Sequence, residues 1–406
     1  MEEERRSSAV QQSGESTGNG RNKPEIAKPF CIHKQEVMAA WKHVRNNGGA
    51  EGIDEMTLED FGKDLKRNLY TVWNRLSSGS YFPDPVRRVE IPKGGGKLRP
   101  LGIPTVRDRI AQQVVRARLE PVVEPLFHKD SYGFRPKRST IDAVGVCRER
   151  CFKYGWVVDV DIEKFFDTLN HELLMKAVKK HCREKWMVLY IERWLKAGVM
   201  IEGEVYDTET GTPQGGVISP LLANLYLHYA FDLWMQREYP HNPFERYADD
   251  MVIHCKSERE AQAVREALDK RMTEVGLKLH PEKTRIVFCP TSRRTQKYEN
   301  VSFTFLGYTF KPRSAQSKSG ERFTSFLPAV STKAKSKFRA NLKKRKLFRN
   351  TTLSLDELAG KLNPIVRGWL AHKRKISRRQ AIWIFKKIYA LRPKFFAHWT
   401  FFEFQG

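Results

Sequence analysis

Cysteine is scarce in this 406-residue chain: six residues, at positions 31, 147, 151, 182, 255 and 289, with no CxxC pair among them. The one close spacing, Cys147 to Cys151, has neither a second pair nor a clustered histidine to complete a tetrahedral zinc site. That excludes a disulfide scaffold and a zinc ribbon, so the thiols are expected to be reduced and structural. Long apolar runs are missing too. No segment approaches the roughly 18 uninterrupted apolar residues of a membrane helix, and the start MEEERRSSAVQQSG has no signal-peptide core. The chain is expected inside a cell, with no membrane partner. It contains no internal repeat, which excludes a solenoid. Histidines are dispersed; His171 is expected near a helix start and His254 packed on a strand.

Acidic residues are nearly absent from the last fifth. Residues 331–406 carry 20 basic and three acidic side chains, and supply +17 of the +26 that 73 Lys and Arg against 47 Asp and Glu give the whole chain. So one-sided an excess exceeds what salt bridges along a helix can pair off, and points to a polyanionic partner. With 40% hydrophobic residues, the chain has room for two or three domains and a large core.

Residues 1–28 are polar, contain Gly and Ser, and have few large apolar groups; they are expected to form a disordered tail. Helical periodicity appears in KQEVMAAWKHV and again from about Asp60 to Leu76, and RRVEIPKGGGKLRPLGIP reads as two strands joined by a glycine turn. Beyond a helix through VRDRIAQQVVRARLEPVV come the strand VVDVDI, helices to about Ala197, a short hairpin, the helix opening at SPLLANLYL, strands around YADD, a helix over SEREAQAVREALDKRMTEVG and two further strands. The alternation lacks the regular crossovers of a doubly wound sheet, so the expected class is α+β, an antiparallel sheet backed by helices.

The stretch FERYADDMVIHC sets adjacent carboxylates, Asp249 and Asp250, inside an apolar run. Neighbouring acids repel and resist low dielectric, so something must compensate. A hairpin turn accommodates Asp residues; a bound divalent cation also cancels their repulsion, and requires a third carboxylate. WVVDVDIEKFFDTLNH holds one. In strand geometry Asp159 and Asp161 share a face, opposite Val158, Val160 and Ile162. Carboxylates meeting on adjacent strands suit phosphoryl transfer with two metal ions. Between these stretches, the glycines of GTPQGGVISPLLANLYL permit close backbone approach to a ligand, and Ser219-Pro220 signals a helix start.

The succession IPKGGGKLRPLGIP, DSYGFRPKRS, DVDIEKFFD, TPQGGVISP, YADD, GLKLHPEKT and FLGYTF, across about residues 45–370, resembles the reverse transcriptases encoded by group II introns. The resemblance implies a right-hand polymerase: an N-terminal extension and fingers over 29–152, a palm over 153–312 and a basic helical maturase thumb over 313–406. It implies RNA-directed DNA synthesis with an RNA template, a DNA primer and deoxynucleoside triphosphates, intron-like RNA as a further partner, and a bacterial cytoplasm. Asp161, Asp249 and Asp250 would hold two Mg²⁺ ions, with Mn²⁺ as the alternative ion. Asp159, two residues too early for the family's position, is expected to pair with a basic group.

By the same resemblance, Phe166 is the ring that excludes a ribose 2′-hydroxyl, Lys93 and Arg99 close over the triphosphate, Gln214 lies against the incoming nucleotide, and Lys283 protonates departing pyrophosphate. Arg135 is expected to touch template or nucleotide, with a helix-start structural role equally open. Lys343, Lys344, Arg345, Lys346 and Arg367 are expected on nucleic-acid backbone. Leu355, Leu358, Leu362, Ile365 and Trp369 form an apolar stripe at helical spacing. After RGWL the sequence departs from the family pattern: HKRKISRRQAIWIFKKIYALRPKFFAHW follows almost at once, as though the DNA-binding region were abbreviated, with no HNH-like segment. A non-catalytic splicing chaperone, or a free-standing enzyme of defence or repair, are the alternative readings.

Overall fold

The computed structural model describes residues 28–94, 97–317, 319–345 and 354–373. The expected N-terminal tail, Lys346 and the segment after residue 373 lie outside the described residues.

The N-terminal part packs helices beside a long hairpin. In α1 (Lys34–Asn47) Val37, Ala40, Trp41 and Val44 fall at helical spacing and are buried. The single helix expected from about Asp60 is two, α2 (Leu58–Lys63) and α3 (Leu65–Ser78), because Asp64 leaves helical geometry at φ −120°, ψ 55°. β1 (Val86–Gly94) and β2 (Lys97–Ile103) pair antiparallel around the glycine turn. The next helix, α4 (Val106–Val123), is buried on several sides and runs through the core against α1.

The central part contains α5 (Thr140–Lys153), β3 (Trp156–Asp161), the one-turn α6 (Phe165–Thr168), α7 (His171–His181), α8 (Lys185–Leu195) and the hairpin β4 (Val199–Ile201) and β5 (Glu204–Tyr206). Then come α9 (Ser219–Leu227), which passes through a π-helical turn at His228–Asp232 into α10 (Leu233–Glu238), the hairpin β6 (Phe244–Tyr247) and β7 (Asp250–Cys255), α11 (Glu258–Glu274) and β8 (Arg285–Phe288). An antiparallel sheet forms in the order β6-β7-β3-β8. Its strands read as near-continuous apolar runs because both faces are covered: Val158, Val160, Met251 and Ile253 join one core, and Val157, Val252 and Val287 a second. The β4–β5 hairpin, which reads as part of the palm, joins the other sheet, where β4 pairs parallel with β1.

A third sheet, β11-β10-β9, comprises β9 (Phe303–Phe305), β10 (Tyr308–Gln316) and β11 (Arg322–Val330). The sequence reading begins the helical C-terminal region at 313; the structure carries a β-hairpin through that point to Val330. Phe303, Phe310 and Phe326 stack between these strands and tie them to the second core. Helix geometry resumes in α12 (Thr332–Lys344), capped by Ser331, and α13 (Leu355–Lys373). Of the expected stripe on α13, Leu362 is buried and Ile365 half-buried; the side chains of Leu355, Leu358 and Trp369 lie outside the described residues.

Candidate active site

Four carboxylates converge where β3 ends and β7 begins. Asp161, last in β3, is the cross-strand partner of Asp250, first in β7. Asp249 lies in the two-residue turn between β6 and β7, whose flanking residues Tyr247 and Asp250 are paired. Asp159, two residues back on the face of Asp161, is opposite Arg285 on β8, and their charged groups are 3.8 Å apart.

Electrostatics register this crowding. Burial, followed by the charges of Asp159, Asp249 and Asp161, pushes the Asp250 carboxyl up to about 8. Burial likewise raises Asp159 to about 7; Arg285 opposes that rise and Asp161 adds to it. A fold that spends stability on mutually repelling acids supplies hard oxygen donors for a divalent cation, and the donor set fits such an ion. Besides Arg285, a second protein cation reaches the cluster: Lys283 Nζ stands 2.5 Å from Asp161 Oδ2. Its loop is pinned to the end of β3, where Asp161 O accepts from His280 N at 2.8 Å.

The loop of residues 207–218 brings the other candidates together. Thr212 N donates to Phe166 O at 2.7 Å, and Gly102 N of β2 donates to Gln214 O at 2.9 Å. Gly211 has φ +85°, and a Cβ there would stand 2.8 Å from the carbonyl oxygens of Phe166 and Asp167, which only glycine avoids. So held, Gln214 Oε1 accepts from Arg99 Nε at 2.7 Å while its Nε2 donates to Asp167 Oδ1 at 3.0 Å. Asp167 was not singled out by sequence reasoning. Phe165 is buried and Phe166 is half-buried against the core edge, which divides the two rings between packing and the site. Only the backbone of Lys93 is described.

Arg135 is placed differently from the expected template contact. Its side chain is 5% exposed. Its guanidinium donates to the Glu124 carboxylate, to the His128 and Ser131 carbonyls at 2.7 Å each and to the Glu124 carbonyl. Those bonds leave it as an internal brace of the DSYGFRP segment. Lys343, Lys344, Arg345 and Arg367 are exposed.

The expectation of reduced, structural thiols fits five of the six: Cys147, Cys151, Cys182, Cys255 and Cys289 are buried and unbridged, whereas Cys31 is unbridged but exposed. Burial pushes Cys147 and Cys151 up to about 12. His254 is packed as expected, but its partner is Glu245, with Nε2 and Oε2 2.7 Å apart.

A family model described as reverse transcriptase (RNA-dependent DNA polymerase) matches residues 91–310, more than half of the chain and all four acids. The chain belongs to that family. Protein YkfC of Escherichia coli is 34% identical to this reverse transcriptase over 298 residues, covering 64% of this chain and 74% of that protein. The group II intron-encoded protein LtrA of Lactococcus lactis is 33% identical over 277 residues, covering 66% of this chain and 45% of that protein. The putative COX1/OXI3 intron 2 protein of Saccharomyces cerevisiae is 33% identical over 224 residues, covering 52% of this chain and 25% of that protein. The chain thus spans under half the length of the lactococcal relative. Reverse transcriptases act on nucleic acid with divalent metal ions, and among the described residues no helix is long and apolar enough to cross a membrane.

Proposed function

We propose that this reverse transcriptase is of the group II intron type and extends a DNA primer on an RNA template, with Asp161, Asp249 and Asp250 holding two Mg²⁺ ions. The observation that carries this reading is the register that sets Asp161 against Asp250 with Asp249 in the adjoining turn. In the reaction the primer 3′-oxygen attacks the α-phosphorus of a deoxynucleoside triphosphate; the new P–O bond forms as the bond to pyrophosphate breaks, and the hydroxyl proton is lost. Bound divalent ions would acidify that hydroxyl and neutralise the triphosphate.

The chain's own groups supply orientation and charge. Arg99, on β2, and Lys93, on β1, are the cations of the glycine-turn hairpin that would close over the phosphates. Gln214, fixed between Arg99 and Asp167, presents its amide edge where the nucleotide lies. Phe166 excludes a 2′-hydroxyl by bulk. Lys283, beside Asp161, holds the proton delivered to pyrophosphate. The helical part, with Lys343, Lys344 and Arg345 at the end of α12 and Arg367 on α13, would grip phosphate backbone, as would Lys346, next in sequence, which also suits a maturase bound to intron-like RNA.

Purified protein incubated with a DNA primer annealed to an RNA template, Mg²⁺ and deoxynucleotides should lengthen the primer, and Asp161→Asn should not. No extension by the native chain, together with splicing support that survives Asp161→Asn, would establish the non-catalytic chaperone instead.

A further inference from the structure

Arg246 directly precedes the Tyr247-Ala248-Asp249-Asp250 stretch and heads the fully buried side chains by volume, with none of its side chain exposed. Its guanidinium clasps Asp232, also fully buried, through Nε to Oδ1 at 2.7 Å and Nη2 to Oδ2 at 2.6 Å. Nη1 reaches the Asn224 side-chain oxygen at 3.0 Å and the carbonyl oxygen of Ala248 at 3.3 Å. Asn224 in turn donates to the Gly133 carbonyl at 2.7 Å. Gly133 itself lies so close to the turn that a Cβ there would be 2.4 Å from Ala248 N.

Ala248 has φ +57°, a left-handed conformation that an alanine adopts at a cost and that two-residue hairpins usually assign to glycine, asparagine or aspartate. Such a conformation persists where its surroundings over-determine it. Packing alone does not require a buried ion pair, since apolar residues of similar volume often serve as well or better. What the pair supplies here is a rigid five-donor fork whose far end rests on the strained carbonyl. The same strand is fixed on both sides: Arg246 pairs with Met251 of β7 on one, and on the other its N donates to Asp130 O at 2.9 Å while its O accepts from Tyr132 N at 2.8 Å.

We infer that Arg246, oriented by Asp232 and Asn224, is a positioning residue that holds the Ala248 carbonyl and thereby sets the separation and direction of Asp249 and Asp250. It touches neither substrate nor ion, and acts through the turn. The inference rests on the polymerase reading for its rate consequence but not for its effect on ion binding.

The test replaces the pair with apolar groups of similar size, Arg246→Met with Asp232→Leu, and compares melting temperature, binding of Mn²⁺ followed by the electron paramagnetic resonance of the free ion, and the single-turnover rate of primer extension against Mg²⁺ concentration. The expected result is a folded protein with native melting temperature, several-fold weaker Mn²⁺ binding, a Mg²⁺ requirement raised to match, and a maximal rate lower by on the order of 10²-fold, the scale of a misplaced reacting group. Native ion binding and rate in that folded double variant overturn the inference. Should it not fold, Arg246→Lys keeps the charge but cannot span Asp232, Asn224 and Ala248 together, and the same two readouts decide: weakened ion binding supports the positioning role, unchanged binding and rate refute it. A native chain that binds Mn²⁺ yet extends no primer defeats the polymerase reading alone, and the ion-binding comparison still judges Arg246.

Discussion

Gly133 lies against the peptide joining Tyr247 to Ala248: an added Cβ would meet Ala248 N at 2.4 Å and the Tyr247 carbonyl carbon at 2.9 Å. Both contacts are backbone, so neither can swing aside. Gly133→Ala is expected to shift the acid-bearing turn, lowering stability by roughly 1–3 kcal/mol and primer extension by far more. Denaturant unfolding measured beside extension kinetics checks this; equal losses in both would mean that the glycine serves only packing.

Phe166 stands at the edge of the core with its carbonyl bonded to Thr212 N. Phe166→Ala keeps that backbone link while removing the ring. Ribonucleotide insertion relative to deoxynucleotide insertion is expected to rise on the order of tenfold to a hundredfold. Competition between the two triphosphates in single-nucleotide extension measures it, and unchanged selectivity removes Phe166 from sugar discrimination.

Beneath β6 a buried chain of charges runs from Asp130 through Arg150 and Glu245 to His254, with Arg150 2.7 Å from Asp130 and 2.6 Å from Glu245. Burial pulls the imidazole pKa down, but Glu245 and Cys151 outweigh it and lift His254 from 6.5 to about 10. A folded-state pKa raised above the unfolded value adds stability that is complete below about 6.5 and drains away as pH climbs to about 10. The melting-temperature gap between the native chain and Glu245→Gln is therefore expected to narrow across that window; a gap constant from pH 6 to 10 would contradict the charged pair.

Lys343, Lys344 and Arg345 are exposed at the end of α12. If they lie on phosphates, replacing all three with alanine reduces the slope of log affinity against log salt by about two to three. RNA titrations at several salt concentrations measure that slope, and an unchanged slope places the RNA elsewhere.

The acid cluster was readable because strand periodicity puts Asp159 and Asp161 on one face and an apolar run makes Asp249 and Asp250 conspicuous. The α+β class followed from the alternation of short strands and helices without regular crossovers. What pairs with what was not readable. The joining of β4 to β1 is a non-local contact with no local signature, and the β10–β11 hairpin lies where the family resemblance implied the start of the helical thumb. Arg135 shows the limit at a single residue: a guanidinium in a loop reads the same whether it faces phosphate or, as here, the Glu124 carboxylate and the carbonyls of His128 and Ser131. Asp232 did leave a trace, a lone acid in the apolar LHYAFDLW, but its partner Arg246 is fourteen positions away and emerges only on folding.

The most direct test of the account pairs stability with activity in one variant, Asp250→Asn, measured with chelator and then with Mg²⁺. Because burial and three neighbouring acids raise the Asp250 carboxyl from 3.8 to about 8, folding at neutral pH bears the cost of that shift, and a neutral amide that escapes it is expected to raise the melting temperature in chelator by a few degrees. It should also slow RNA-templated primer extension in Mg²⁺ by roughly 10²- to 10³-fold. A variant that is no more stable than the native chain and copies RNA at the native rate contradicts the claim that these acids are gathered for phosphoryl transfer.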